Sequence, residues 1–152
     1  MLGTPGVLCV VLYRWQVFFE THYLVPIACL FRAFNLVAFS VSIHSNARIA
    51  GGLLIVHAHS VFISDRVEIG PRCLMFHQNW IGFSPFFQEL PRGALAKAPV
   101  IGADVIFGAG ACTFGDITIG DECKIGVNAA VESSFPPKSV LFGVPARQVA
   151  KA

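Results

Sequence analysis

Charge is what this 152-residue sequence has least of: 11 Lys+Arg and 9 Asp+Glu make up 13% of it, about half the share usual in soluble domains. A formal net charge of +2 supplies no electrostatic footprint for a nucleic-acid partner. With 55% hydrophobic residues, so few charges cannot cover the surface, which predicts an oligomer. Other features are missing too. No apolar run reaches the roughly 18 residues that span a bilayer, because Arg14, Glu20 and Arg32 interrupt the N-terminal ones. No basic stretch precedes the first apolar run, and there is no evident signal cleavage site. The five cysteines form no Cys-x-x-Cys pair and are odd in number, so buried thiols in a reducing cytoplasm are expected.

What is present is a rhythm of six. Aliphatic or other apolar residues recur at Ile43, Ile49 and Ile55, then at Ile63, Ile69, Met75 and Ile81. The purest stretch is Ile101-Gly102, Phe107-Gly108, Thr113-Phe114, Ile119-Gly120, Ile125-Gly126, with small residues at Ala111, Cys123 and Ala129. Neither an amphipathic helix nor a simple strand makes this period. A hexapeptide repeat predicts an all-β fold, a parallel β-helix with one short strand and a turn per repeat. Three repeats make a triangular coil of about 18 residues, whose apolar side chains point inward and stack on the next coil. Glycine after the aliphatic position suits a tight turn. Residues 41–152 form this domain.

Residues 1–40 differ. They read as two short helices, at 5–20 and 24–38, with Pro26 near the start of the second. Their apolar faces are expected to pack on the coils or on a neighbouring subunit. The alternative is a peripheral membrane contact through residues 5–38, where Trp15, Phe18, Phe19 and Tyr23 interleave with Arg14.

The rhythm breaks twice. Ile55 and Ile63 are eight residues apart instead of six, so two residues bulge from one corner. The second break is a Gly-, Pro- and Ser-containing loop at 82–99, where Phe83, Phe86 and Phe87 offer anchors against an adjacent subunit. His57 follows the inward Ile55 by two residues, and His77 follows the inward Met75 by two. The two histidines should therefore stack on one face, roughly 5 Å apart by strand spacing, with His59 in the bulge beside them. Three imidazoles near one corner suit a metal site or an acid–base site. With no carboxylate or thiol nearby, no metal is expected. A neutral imidazole can take the proton of an alcohol or amine as it attacks a thioester. The chain has neither a Walker phosphate loop nor a Gly-x-Ser-x-Gly elbow, which points to direct transfer between two bound substrates. His22 and His44 read as structural or merely exposed.

Several segments resemble the hexapeptide-repeat acyltransferases, and within them the serine O-acetyltransferase-like branch. They are Ile43 to His57, Phe107-Gly-Ala-Gly-Ala, Ile117-Thr-Ile-Gly-Asp and Gly143-Val-Pro-Ala-Arg147 after Phe-Pro-Pro-Lys-Ser. The resemblance covers residues 40–150. It implies a left-handed β-helix, a homotrimer with sites between subunits, and acetyl-CoA as co-substrate. It makes His57 the catalytic base; His59 and His77, beside it, are expected to orient that base or to bind the acceptor. Backbone around Ala109, with Gly82, Gly110 and Val127, would line the coenzyme groove, and Arg147 would face its phosphates. The loop at 82–99 would close the site.

The departures are equally specific. Where serine acetyltransferases have an Asp before the catalytic histidine, Val56 stands; where they have Asp-Ile-His, Ser42 replaces the Asp; a second histidine is replaced by Ala98. Loss of groups that bind an amino acid points to a sugar hydroxyl as acceptor, as in short colanic-acid-type O-acetyltransferases of exopolysaccharide or capsule biosynthesis. Such work would place the protein in the cytoplasm, at the inner face of the membrane. The alternatives are a serine O-acetyltransferase of cysteine synthesis and a non-catalytic β-helix scaffold.

Overall fold

The computed structural model describes residues 5–83 and 97–151. Most of the expected loop, including Phe86 and Phe87, lies outside the described residues. The hexapeptide rhythm builds three faces. The first holds the strands Val41–Ile43, Val61–Ile63, Trp80–Gly82, Cys112–Phe114 and Ala130–Val131. The second holds Arg48–Ile49, Glu68–Ile69, Val100–Ile101 and Thr118–Ile119. The third holds Leu54–Ile55, Leu74–Met75, Ile106–Phe107, Lys124–Ile125, Ser139–Phe142 and Arg147–Lys151. The chain visits the faces in turn, and successive coils pair in parallel. Among the described residues only Arg147–Lys151 runs antiparallel, folding back on Ser139–Phe142. This is the left-handed parallel β-helix expected from the sequence, with a short helical segment before it.

Stacking makes the core. Ile43, Ile63, Ile81, Thr113 and Val131 form one inward column; Ile49, Ile69, Ile101 and Ile119 another; Ile55, Met75, Phe107, Ile125 and Leu141 a third. All are buried, and no single coil could bury such a stripe alone. The glycines that follow inward residues turn out to have a different role from the expected one. Gly102, Gly108 and Gly120 keep ordinary negative φ, but a Cβ on any of them would meet the backbone of the next coil within 3 Å. They permit close stacking. The left-handed corner conformation falls instead on polar residues such as Asp104, Glu122 and Asn128, with φ of 57°, 59° and 55°.

Helices α1 (Pro5–Thr21) and α2 (Val25–Phe39) lie within a residue of the expected bounds. Pro26 sits in the first turn of α2, where its missing N–H would have no partner anyway. α1 is fastened to the first coil through backbone carbonyls. The Tyr13 hydroxyl donates to Ala47 O at 2.5 Å, Gln16 Nε2 to Ile43 O at 3.3 Å and an Arg14 guanidinium nitrogen to Ala50 O at 2.8 Å. Asn35 of α2 donates to Cys9 O at 3.0 Å and ties the two helices together. The outer side of α2 exposes Leu30, Phe34 and Val37. Among the described residues no helix is long and apolar enough to cross a membrane.

Candidate active site

The third face meets the first along one edge of the prism, and equivalent positions of successive coils line up there. His57, His77, Ala109 and Val127 each stand two residues after an inward side chain: Ile55, Met75, Phe107 and Ile125. Those four inward residues are in register, Ile55 with Met75, Met75 with Phe107, Phe107 with Ile125. Adjacent coils in such a stack are about 4.8 Å apart.

Two imidazoles meet at the lower end of this edge. The rings of His57 and His77 lie 5.9 Å apart between centroids, at 60°. The Phe76 ring is 6.4 Å from His57. His57 is exposed and His77 half-buried, so one ring faces solvent while the other backs it. The bulge between Ile55 and Ile63 is real. It holds His57, Ala58, His59 and Ser60, and Ser60 takes up φ 54° to turn the chain. The His59 N–H donates to His57 O at 2.8 Å, and His59 O accepts from the Gln78 N–H at 2.9 Å. The turn is thus bonded to the coil that carries His77.

Above the histidines the edge is backbone-rich. The Gly110 N–H donates to His77 O at 2.9 Å and the Asn128 N–H to Ala109 O at 2.8 Å. Gly110 has φ 71°, and a Cβ there would meet Asn128 Oδ1 at 2.0 Å. The structure therefore brings His57, His59, His77, Ala109, Gly110 and Val127 to one edge. Gly82 is not on it; it ends a strand at the opposite end of the first face, where Ser64 Cβ leaves no room for a side chain. Arg147 is exposed and pairs with Phe142, one coil beyond Val127.

Ser42 points outward on the first face opposite Phe62, Val56 is half-buried beside His57 and Ala98 packs against the core. The one His–carboxylate pair among the described residues is elsewhere, between His44 and Asp65 at 3.6 Å. Burial pushes the Asp65 carboxyl up, but hydrogen bonding to Asn46 and Arg66 outweighs it and holds the group below its ordinary range. Among the described residues no group of three or more His, Cys, Asp or Glu is placed to hold a metal ion.

Sequence reasoning missed two features beside the edge. Phe62 and Trp80 stack on the first face with centroids 6.1 Å apart, and Trp80 touches Phe114 at 6.0 Å. Their signal was present, since each follows a histidine (His59, His77) by three residues. The other is the buried Asn79. Grooves between α1 and the second face are lined by residues such as Arg14, Val17, Arg48, Arg66 and Glu68. They belong to the second face and contain none of the three edge histidines.

No family model matches the chain. It is 35% identical over 111 residues to the serine acetyltransferase of Helicobacter pylori strain 26695, covering 73% of this chain and 61% of that protein. Soybean serine acetyltransferase, in its apoenzyme structure, superposes with a TM-score of 0.85 and 31% identity over 97% of this chain and 59% of that one. The Neisseria gonorrhoeae serine acetyltransferase in complex with serine gives a TM-score of 0.83 and 28% identity over 96% and 57%. The chain spans about three fifths of the length of such relatives. These relatives are described as serine acetyltransferases, and the polysaccharide reading drawn from Ser42, Val56 and Ala98 is left without support.

Proposed function

We propose that the chain is an acetyl-CoA-dependent serine O-acetyltransferase in which His57 is the general base. The observation that carries this reading is the likeness to serine acetyltransferases through nearly all of the chain, with a histidine exposed at the bulged corner between Ile55 and Ile63. In the reaction, neutral His57 takes the proton of the serine hydroxyl as that oxygen attacks the thioester carbonyl. The tetrahedral intermediate collapses, the C–S bond breaks, and the proton passes to the departing thiolate of coenzyme A. His77 backs His57 and limits its ring orientations, while His59 lies on the acceptor side. Donor and acceptor meet at the edge, with the coenzyme along Ala109, Gly110 and Val127 and its phosphates toward Arg147. A homotrimer fits a convex edge, because a neighbouring subunit would provide the second wall.

Ser42 and Val56 offer no carboxylate to the serine ammonium, so a high KM for serine is expected. The test is coenzyme A release from acetyl-CoA with millimolar serine, run beside sugar nucleotides. Serine-driven release that falls about 10²–10⁴-fold in His57→Ala supports the reading. Release with sugars alone overturns the acceptor. Absence of acetyl-CoA binding by calorimetry overturns the enzyme and leaves a scaffold.

A further inference from the structure

On the first face, the residue two before each inward side chain is apolar in four coils: Val41, Val61, Ala111 and Ala129. The fifth is Asn79, only 1% exposed. Its Nδ2 donates to Gly108 O at 2.7 Å and to Ala111 O at 3.3 Å. Two carbonyl acceptors fix the amide's orientation, since a flipped amide would set oxygen against both. The Asn79 Oδ1 then has no partner. A buried amide oxygen left unbonded is unfavourable, so stability alone favours the Val or Ala of the other coils.

What the amide holds is the corner above His77. That turn is closed by one backbone hydrogen bond, from the Ala111 N–H to Gly108 O at 3.2 Å. It contains two glycines, Gly108 and Gly110, so few side chains of its own constrain it. Gly110 bonds downward to His77 O, and Ala109 O accepts from Asn128 above. Fixing the carbonyls of Gly108 and Ala111 therefore fixes the Ala109 peptide relative to the histidine coil.

We propose that Asn79 is a positioning residue. From inside the coil it holds the 108–111 corner at a set depth against His77, and so holds the surface that presents the thioester to His57. The functional half of this rests on the acetyl-transfer reading; the clamp itself does not.

The experiment compares the full chain with Asn79→Val and Asn79→Ala, two side chains this column already accepts. Expected are an unchanged or higher melting temperature and amide exchange at residues 109–112 faster by roughly tenfold, with other corners unaffected. The KM for acetyl-CoA should rise about tenfold while that for serine stays within about twofold. A folded variant with wild-type exchange at 109–112 and wild-type KM overturns the proposal. So does faster exchange in every coil with a lower melting temperature, which marks a purely structural role. If one variant does not fold, the other decides. If the wild-type protein turns over no acetyl-CoA, the functional reading fails separately, and the exchange data alone test the clamp.

Discussion

Gly6 sits in the first turn of α1, and a methyl group on it would stand 1.6 Å from the carbonyl oxygen of Ile55 and 2.7 Å from its carbon. Two effects of opposite sign meet in Gly6→Ala. Helix propensity alone would stabilise the alanine by about 1 kcal/mol. Overpacking against backbone costs about 1–3 kcal/mol. The contact needs some 1.5–2 Å of relief to reach ordinary van der Waals distance. α1 cannot simply lift away, because Tyr13, Gln16 and Arg14 bond it to carbonyls of the first coil. The carbonyl cannot retreat either, because the Ile55 side chain is fully buried and its strand pairs with Leu74–Met75. The steric effect should win by up to about 2 kcal/mol, a fall in melting temperature of up to roughly 8 °C for a chain of this size. Ile55 stands two residues before His57, so kcat should fall as well, whereas a mutation that only weakened the fold would leave kcat of the folded fraction intact. Thermal unfolding and steady-state coenzyme A release on the same preparation read both. A Gly6→Ala protein that gains stability by the propensity amount and turns over normally would refute the seating of α1 beneath the histidine coil.

Phe107 is fully buried in the third-face column, so Phe107→Ala should cost about 3–5 kcal/mol by chemical denaturation. Burial pushes the Cys9 thiol from 9.0 to about 11. The folded chain therefore keeps a proton that the unfolded chain releases, and stability is full below about pH 9 and declines as pH rises toward 11. Melting temperatures across that window should flatten in Cys9→Ala. A thiol reagent at pH 8 should label exposed Cys29 and spare Cys9, which mass mapping of the adducts would read.

The period of six was enough to assign the inward columns, because each position is set by the repeat and not by its neighbours. The break between Ile55 and Ile63 carried the histidine edge for the same reason: offset from Ile55 and Met75 fixed where His57 and His77 would stack. What stayed illegible depends on partners far apart in sequence. Tyr13 gives no sign that its hydroxyl meets Ala47, and Asn79 resembles any corner asparagine until Gly108 and Ala111 are placed above it. The glycines after inward residues were misleading, since Gly102 and Gly108 look like turn formers and serve backbone-to-backbone stacking. Gly82, expected along the coenzyme groove, stands at the far end of the first face, away from the histidine edge. The sugar acceptor was read from three side chains, Ser42, Val56 and Ala98, and the serine acetyltransferases that the chain resembles leave that reading without support.

The shared edge also acts as a graduated scale. Each coil adds about 4.8 Å between His57 and whatever stands at the same offset further along, and the increments are counted in whole coils because the registers are unbroken from Ile55 to Ile125. Deleting residues 102–119, one full turn of the prism, would leave the faces in phase while moving Val127 one increment closer to the histidines. Length along this molecule is therefore a digital quantity, altered in units of a coil, and any elongated ligand laid along the edge is measured in those units.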